Sequence, residues 1–353
     1  MKIAYVCHLY PPYLGGVEKY VHAIATRLKV HHDITVITTD PSKKLPKLEA
    51  IDGVFVRRFP SLAPSESIYY STEMFRYLRE HSDDYHLVHA NNYHALPSYY
   101  AAESKRRNKL VFSPHFHGAK GHSMLRNLLH IPYRLLGGRI FRRSDLVICS
   151  TNFERNEVLR DFRVPSSRLR VVRQGVDYTP PAPADKTYGR KRLLCVSRLE
   201  RYKGIQYVMR SLEHLPSFEL VIVGTGPYGG RLHRLAGKLG LEGRVAFRQA
   251  VSQENLDHMF SNSDVAILLS EHESYSQFVA QALSSGIPCV VAKRGALVEW
   301  VDDKTCIGVS NPRDSVEVAQ AVLHLSDRKV TRSLPTWDDC AAKVEALYQA
   351  LLS

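Results

Sequence analysis

The chain has 353 residues, 44% hydrophobic and 24% charged, with a formal net charge of +13. That length is too great for one ordinary domain and predicts two, each able to bury its own core. No apolar run approaches the roughly 18 residues of a membrane-crossing helix, and six scattered cysteines without C-x-x-C spacing exclude a disulfide scaffold or zinc module.

The opening run 3–7, Ile-Ala-Tyr-Val-Cys, reads as a strand. It lacks the apolar stretch and small-residue cleavage site of a signal peptide, so a cytoplasmic protein is expected. Further strands are predicted at 34–38, 54–59, 87–90, 110–113, 146–150 and 169–172. A second series follows at 193–197, 220–223, 245–247, 265–269 and 289–292. Helical periodicity falls between them, at 17–28, 68–80, 206–212, 229–239, 255–261 and 338–352. Such alternation predicts doubly wound parallel sheets with helices on both faces. The break is 179–186, Thr-Pro-Pro-Ala-Pro-Ala-Asp-Lys, a stiff proline-rich linker. Domains are therefore expected at 1–178 and 187–335, with 336–353 as a terminal helix. Ligands of such sheets bind beyond the carboxyl ends of the strands, in a cleft. Cys7, Cys149, Cys195, Cys289, Cys306 and Cys340 read as buried free thiols.

Three loops after predicted strands carry ligand-type chemistry. Pro11-Pro-Tyr-Leu-Gly15-Gly16-Val-Glu18 leads from the first strand into a helix. Adjacent glycines let backbone approach a ligand and a helix N-terminus favours an anion; an ordinary strand-to-helix turn would use the same residues. Arg198-Leu-Glu-Arg-Tyr-Lys203-Gly204 follows the strand at 193–197. A planar guanidinium and a point-charged ammonium together suit a diphosphate, whereas surface charge beside a turn is the commoner fate of such residues. Glu273-Ser274-Tyr275-Ser276 precedes a helix carrying Phe278, Gln281, Ala282 and Leu283, which stops at Gly286 before Pro288. Backbone N–H groups at that helix start are available to an anion. Gly224-Thr-Gly226-Pro227 reads as a tight turn, and His115 and His117 stand at the carboxyl end of the strand at 110–113.

The run 273–291 resembles the donor-site signature of retaining glycosyltransferases with two Rossmann-like domains, family 4 in particular. The other motifs follow in that family's order. The resemblance implies an α/β chain of GT-B fold, with acceptor on the N-terminal domain, nucleotide-diphosphate sugar on the C-terminal one, and a terminal helix returning to the first. It implies Arg198 and Lys203 on the donor pyrophosphate, with Gly16, Ser274, Tyr275 and Ser276 beside them. Glu273 is expected on the donor sugar and Gln281 on the ribose. Gly15, Gly224 and Glu299 line the nucleotide-sugar pocket, Arg248 and Gln249 lie near the base, and His115 faces the reacting sugar with His117 as the second match. The family's helix usually reads Glu, seven residues, Glu. Here Gln281 replaces the second acid, and its amide has one acceptor oxygen and two donors. The implied reaction is front-face glycosyl transfer with retention. It needs no metal and no cofactor beyond the nucleotide-sugar co-substrate. Gln281 keeps open a second reading, a non-catalytic nucleotide-sugar-binding protein. Nucleic acid is not an expected partner, since there are no aromatic-rich basic strands and no helix-turn-helix.

The positive charge is concentrated. Residues 101–173 hold sixteen Lys/Arg against five acids, which is most of the net excess. Two helical pieces are predicted there, 123–131 and 133–141, broken at Pro132. Apolar residues alternate with Lys120, Arg126, Arg134, Arg139, Arg142 and Arg143. This is the make-up of a helix lying in a membrane interface, and equally of a core helix with a solvated basic face. Lys120, Arg126, Arg134, Arg142 and Arg143 are accordingly expected to meet a glycan or lipid-linked acceptor or an anionic membrane face, with peripheral attachment on the cytoplasmic side.

Overall fold

The structure, a computed structural model, describes all residues but 14, 66, 67, 119–123, 178–188, 250, 329 and 331; for 65 and 124–133 it describes the backbone only. The chain divides into two compact units, Met1–Gly175 with Pro335–Ser353, and Val176–Leu334. The linker expected at 179–186 lies outside the described residues.

Unit 1 begins with β1 (Lys2–Val6), α1 (Gly16–Leu28), β2 (Asp33–Asp40), β3 (Leu48–Ile51), β4 (Val54–Pro60), β5 (Leu62–Ser65) and β6 (Ile68–Tyr70). It continues with α2 (Thr72–His81), β7 (Leu87–Asn91), α3 (Leu96–Ser104), β8 (Lys109–Ser113), α4 (Met124–Arg143), β9 (Leu146–Cys149), α5 (Asn152–Phe162) and β10 (Leu169–Val171). Its eight-stranded sheet has the order β10-β9-β8-β7-β1-β2-β4-β3. All neighbours are parallel except the edge pair β3·β4, a departure from the purely parallel expectation. Alternation explains the layering. Ile3, Tyr5 and Cys7 enter one core, while Ala4 and Val6 enter the other, as in a sheet covered on both faces.

Unit 2 contains β11 (Lys191–Val196), α6 (Ile205–Ser211), β12 (Phe218–Val223), α7 (Gly229–Lys238), β13 (Val245–Arg248), α8 (Gln253–Ser261) and β14 (Val265–Leu268). Then come α9 (Gln277–Ser284), β15 (Cys289–Ala292), β16 (Cys306–Val309) and α10 (Ser315–Leu325). Its six strands run parallel in the order β13-β12-β11-β14-β15-β16. Leu193 and Cys195 face one core and Leu194 the other.

The last helix, α11 (Trp337–Leu352), belongs to unit 1. Trp337, Cys340, Ala341, Val344 and Tyr348 form one buried stripe at helical spacing. They pack with Tyr20, Val21, Ile24 and Leu28 of α1 in a single core. Thr336 and Asp339 close a reciprocal capping box, which satisfies two N–H groups at the helix start. A Cβ at Gly175 would overlap the backbone of Trp337, so only glycine lets the chain pass there.

Three sequence expectations need correction. The helix predicted at 68–80 starts at Thr72. Residues 68–70 pair with β5, exposed Ile68 and Tyr70 alternating with buried Tyr69. Ser71 caps the helix by accepting from Met74 N. The break predicted at Pro132 is absent, because α4 runs unbroken from Met124 to Arg143. Its second half is held by buried Ile140 and Phe141 and by Gly137, where a Cβ would overlap the Tyr93 ring; such packing offsets the hydrogen bond that proline removes. Strands β3 and β16 escaped prediction, the first a half-exposed edge and the second only four residues long with Gly308 inside. All six cysteines are buried and free. Among the described residues no helix is long and apolar enough to cross a membrane.

Candidate functional site

In each of the two large sheets the chain crosses from one side of the first strand to the other. In unit 2 the chain steps outward from β11 to β13, then returns to the other side of β11 and steps from β14 to β16. Loops leaving β11 and β14 therefore diverge, opening a crevice where ligands of doubly wound sheets bind. Those two loops carry Arg198 and Lys203, and Glu273. The Lys203 ammonium donates to Glu273 Oε1 at 2.6 Å, and each side chain is about 14% exposed or less. Burial alone would lower the Lys203 pKa; the Glu273 carboxylate and then Tyr202 outweigh it and hold it above its ordinary value. Arg198 donates to Tyr202 Oη at 3.0 Å and is near enough to act on the Lys203 charge.

Glycine places these loops. Gly204 has φ +74, and a Cβ there would overlap Leu269 O at the end of β14. Gly224 has φ +143, and its Cβ would overlap Ser197 O. The Gly224-Thr-Gly226 turn thus packs directly on the Arg198 loop, which no residue with a side chain allows. Ser276 caps α9 with φ +80, its hydroxyl accepting from Val279 N. A left-handed serine is a strained position that the surroundings must enforce.

The remaining residues expected at the donor are placed as follows. Tyr275 is buried against Trp300, with ring centroids 5.2 Å apart, and its carbonyl accepts from Trp300 Nε1. Its side chain is core, so only its backbone can serve a ligand. Glu299 lies half-buried on the short 3-10 helix Gly295–Trp300, and Ala296 N of that helix donates to Glu273 O. Gln281 is 9% exposed and its Nε2 donates to Asp257 Oδ1 of α8 at 3.1 Å. Asp257 also accepts from Gln253. Arg248, the last residue of β13, and Gln249 after it are exposed.

In unit 1 the strand order reverses between β1 and β7. His8, after β1, meets Glu18 of α1 at 3.1 Å and Asn92, after β7, at 3.3 Å. Glu18 is 5% exposed, and a Cβ at Gly15 would overlap its carboxylate. Gly15 thus makes room for the carboxylate, while Gly16 has nothing within 4 Å of a Cβ. His115, after β8, has φ +50 and sits edge-on to Tyr20, 5.1 Å between centroids. Burial pushes its pKa down to about 4, so it is a neutral imidazole at neutral pH. His117 turns instead to His94, stacked at 5.0 Å. His89, below them in β7, bonds Ser113 Oγ at 2.8 Å and Tyr348 Oη at 2.5 Å. Burial first, and His115 second, lower its pKa to about 3.

Sequence reading left His8, Glu18 and Asn92 without roles. The signal that finds them is position: His8 and Asn92 follow the two strands flanking the reversal, and Asn92 has φ +79. Of the five basic residues expected on one acceptor or membrane surface, Lys120 and the Arg126 side chain lie outside the described residues. Arg134 and Arg142 are exposed, whereas Arg143 is half-buried and donates to Lys105 O. Arg134 and Arg142 stand eight residues apart on the same helix, a rise of roughly 12 Å. Among the described residues no three His, Cys, Asp or Glu side chains are grouped to hold a metal ion.

Residues 14–179 match the model of Glycosyltransferase Family 4 and residues 182–333 that of Glycosyl transferases group 1. An uncharacterized glycosyltransferase of Methanocaldococcus jannaschii is 24% identical over 330 residues, 85% of this chain and 83% of that protein. A GDP-mannose-dependent alpha-(1-6)-phosphatidylinositol monomannoside mannosyltransferase of Mycolicibacterium smegmatis is 27% identical over 322 residues, 84% of this chain and 82% of its own. Among solved structures, sucrose-phosphate synthase from Thermosynechococcus elongatus superposes with a TM-score of 0.83 at 20% identity, covering 99% and 98% of the two chains. Anabaena HepE, in complex with UDP and glucose, gives 0.76 at 18%, covering 99% and 100%. Two Rossmann-like units, ligand-type residues at both strand reversals and family models spanning nearly the whole length agree: this chain is an enzyme of glycosyltransferase family 4, of GT-B type, using a nucleotide sugar.

Proposed function

We propose that unit 2 holds a nucleoside-diphosphate sugar, unit 1 holds a glycan or lipid-linked acceptor, and transfer proceeds with retention and without a metal ion. The observation that carries this reading is the Lys203–Glu273 pair at the strand reversal of unit 2, with Arg198 beside it. An incoming diphosphate competes with Glu273 for Lys203 and takes the Arg198 fork. The released Glu273 carboxylate then accepts from donor-sugar hydroxyls. The acceptor oxygen bonds the anomeric carbon as its bond to the β-phosphate oxygen breaks, and the acceptor proton passes to that phosphate. Arg198 and Lys203 stabilise the charge left on the diphosphate. Neutral His115 hydrogen-bonds a sugar hydroxyl.

Calorimetry with UDP- and GDP-sugars on wild type, Arg198→Ala and Lys203→Ala tests the donor site. Each loss should weaken binding at least tenfold, as expected for a charge-assisted contact of about 1.5–3 kcal/mol. Unchanged affinity in both variants overturns the assignment. Tight nucleotide binding without turnover on any donor would instead favour the non-catalytic reading that Gln281 motivates. Attachment to an anionic membrane face is a second reading, favoured by Leu135, 72% exposed, next to exposed Arg134 on α4. It requires co-sedimentation with anionic vesicles at low salt, lost at high salt and in Arg126→Gln/Arg134→Gln.

A further inference from the structure

At the amino edge of the unit 1 sheet, a cavity of about 590 Å³ is lined by Lys105, Arg106, Lys109, Arg142, Arg143 and Arg168, with one carboxylate, Asp145, and Leu351. We propose that this cavity binds a ligand carrying clustered phosphate groups, at a site separate from glycosyl transfer.

Charge comes first. Six cations face one acid, and that acid is already engaged: Asp145 Oδ2 pairs with Lys105 Nζ at 2.7 Å and accepts from Leu110 N at 2.7 Å. The cavity therefore keeps a large positive surplus. Within it, Arg143 Nε is buried without a hydrogen-bond partner, a donor whose burial is unfavourable until an acceptor arrives. Arg106 and Arg142 are exposed, and neither side chain shows an acid partner among the described residues.

The walls are preset. Lys105 Nζ donates to Arg143 O at 2.8 Å while the Arg143 guanidinium donates to Lys105 O at 3.1 Å. This reciprocal tie joins the end of α3 to the end of α4. Arg168 reaches the carbonyls of Arg142 and Ser144 at 3.4 Å. Planar guanidinium forks held around a polar cavity suit phosphate oxygens. A second hollow, lined by Arg76, Arg79 and Arg106 with one acid, Glu80, and by Thr72 and Phe75, shares Arg106 with the first, so a ligand with more than one phosphate meets an excess of cations along its length.

Position separates this site from the transfer chemistry. Lys109 opens β8 and Asp145 precedes β9, whereas His115 follows the far end of β8. A five-residue strand spans roughly 16 Å, so one ligand phosphate cannot serve both ends.

The test is calorimetry of the full-length protein at low salt with inorganic pyrophosphate, keeping UDP in excess to occupy a donor site. Wild type should show a saturable event that Arg106→Gln/Lys109→Gln/Arg142→Gln weakens at least tenfold. Lys43→Gln/Lys44→Gln/Lys47→Gln removes the same charge from an exposed loop of unit 1 and should change affinity less than twofold. Unfolding midpoints of both variants, measured alongside, establish that each is folded. Absence of a saturable event, or equal weakening in the two variants, overturns the proposal. UDP affinity is measured first, in a separate titration of each protein without pyrophosphate, so failure of the donor reading is seen separately. Anionic phosphatidylglycerol vesicles distinguish the sources. Binding that pyrophosphate displaces and the cavity variant loses identifies a lipid headgroup; pyrophosphate binding without vesicle binding identifies a soluble phosphorylated compound.

Discussion

The two strand reversals of this enzyme are built differently. In unit 2 the reversal is crossed by a lysine and a glutamate 2.6 Å apart, both mostly shielded from water. In unit 1 it is crossed by a histidine that touches an asparagine and a buried glutamate, with a second, neutral histidine one strand away. The first arrangement suits a doubly charged ligand, which replaces one ion-pair partner with another. The second has hydrogen-bonding groups and little net charge, which suits hydroxyls. On the proposed assignment, the same topological device serves charge in one unit and neutral polar groups in the other, because the loops that leave the reversal carry different residues.

Breaking the ion pair should have the largest effect. Glu273→Ala is expected to lower turnover by about a thousandfold, comparable with removing a group that acts on the transition state. It also leaves Lys203 buried without its partner, so the unfolding midpoint should fall as well. Full turnover in steady-state assays would remove Glu273 from the site. On the unit 1 side, His115→Ala should lower kcat about a hundredfold and change donor affinity little, as for a contact that matters most in the transition state. An equal loss in KM and none in kcat would break the contrast between a donor unit and an acceptor unit.

Acid should also tell the units apart. His89 and His115 have folded pKa values of about 3 and 4, below the ordinary 6.5. The unfolded chain therefore binds more protons once pH falls below about 6.5, and stability declines from there towards pH 4. Each histidine should remove on the order of 2 kcal/mol between pH 7 and pH 5. Urea midpoints at the two pH values check this, and His115→Ala should flatten the dependence. The smallest effect concerns Gln281. Gln281→Glu restores the family's usual acid but places it against Asp257, with which Gln281 now hydrogen-bonds. Donor affinity should fall a few-fold, about 1 kcal/mol, and Gln281→Glu/Asp257→Asn should recover it. Improved affinity in the single variant would mean that Asp257 turns away when the donor binds.

Much of the fold was legible. Apolar runs of four to six residues separated by amphipathic segments leave few alternatives to a parallel sheet covered on both faces. The strand 289–292 was placed to the residue, because a Gly-x-Pro turn precedes it and Lys293 follows. Residues 68–70 were misread because three residues of period 2 cannot outweigh the helical pattern that follows them. Pro132 was misread because local chemistry argues for a break, whereas burial of Ile140 and Phe141 rewards continuity. At the site, Arg198 and Lys203 stood out as basic residues past a strand and Glu273 as an acid just before a helix, while their expected roles at a donor came from the resemblance to family 4. Their pairing could not be read, since seventy residues separate Lys203 from Glu273.

By itself, then, the sequence determined the class of fold, the order of the loops and which of them carry charge, because those depend on periodicity and residue type within short windows. Only the tertiary structure decided which residues meet. It set Gln281 on Asp257, turned Tyr275 into the core, joined His8 to Glu18 and Asn92, and gathered Lys105, Arg106, Lys109, Arg142, Arg143 and Arg168 around one cavity. The physical reason is that strand order in a sheet is chosen by burial of whole faces. That choice brings together loop ends from distant parts of the chain, and no local pattern records the result.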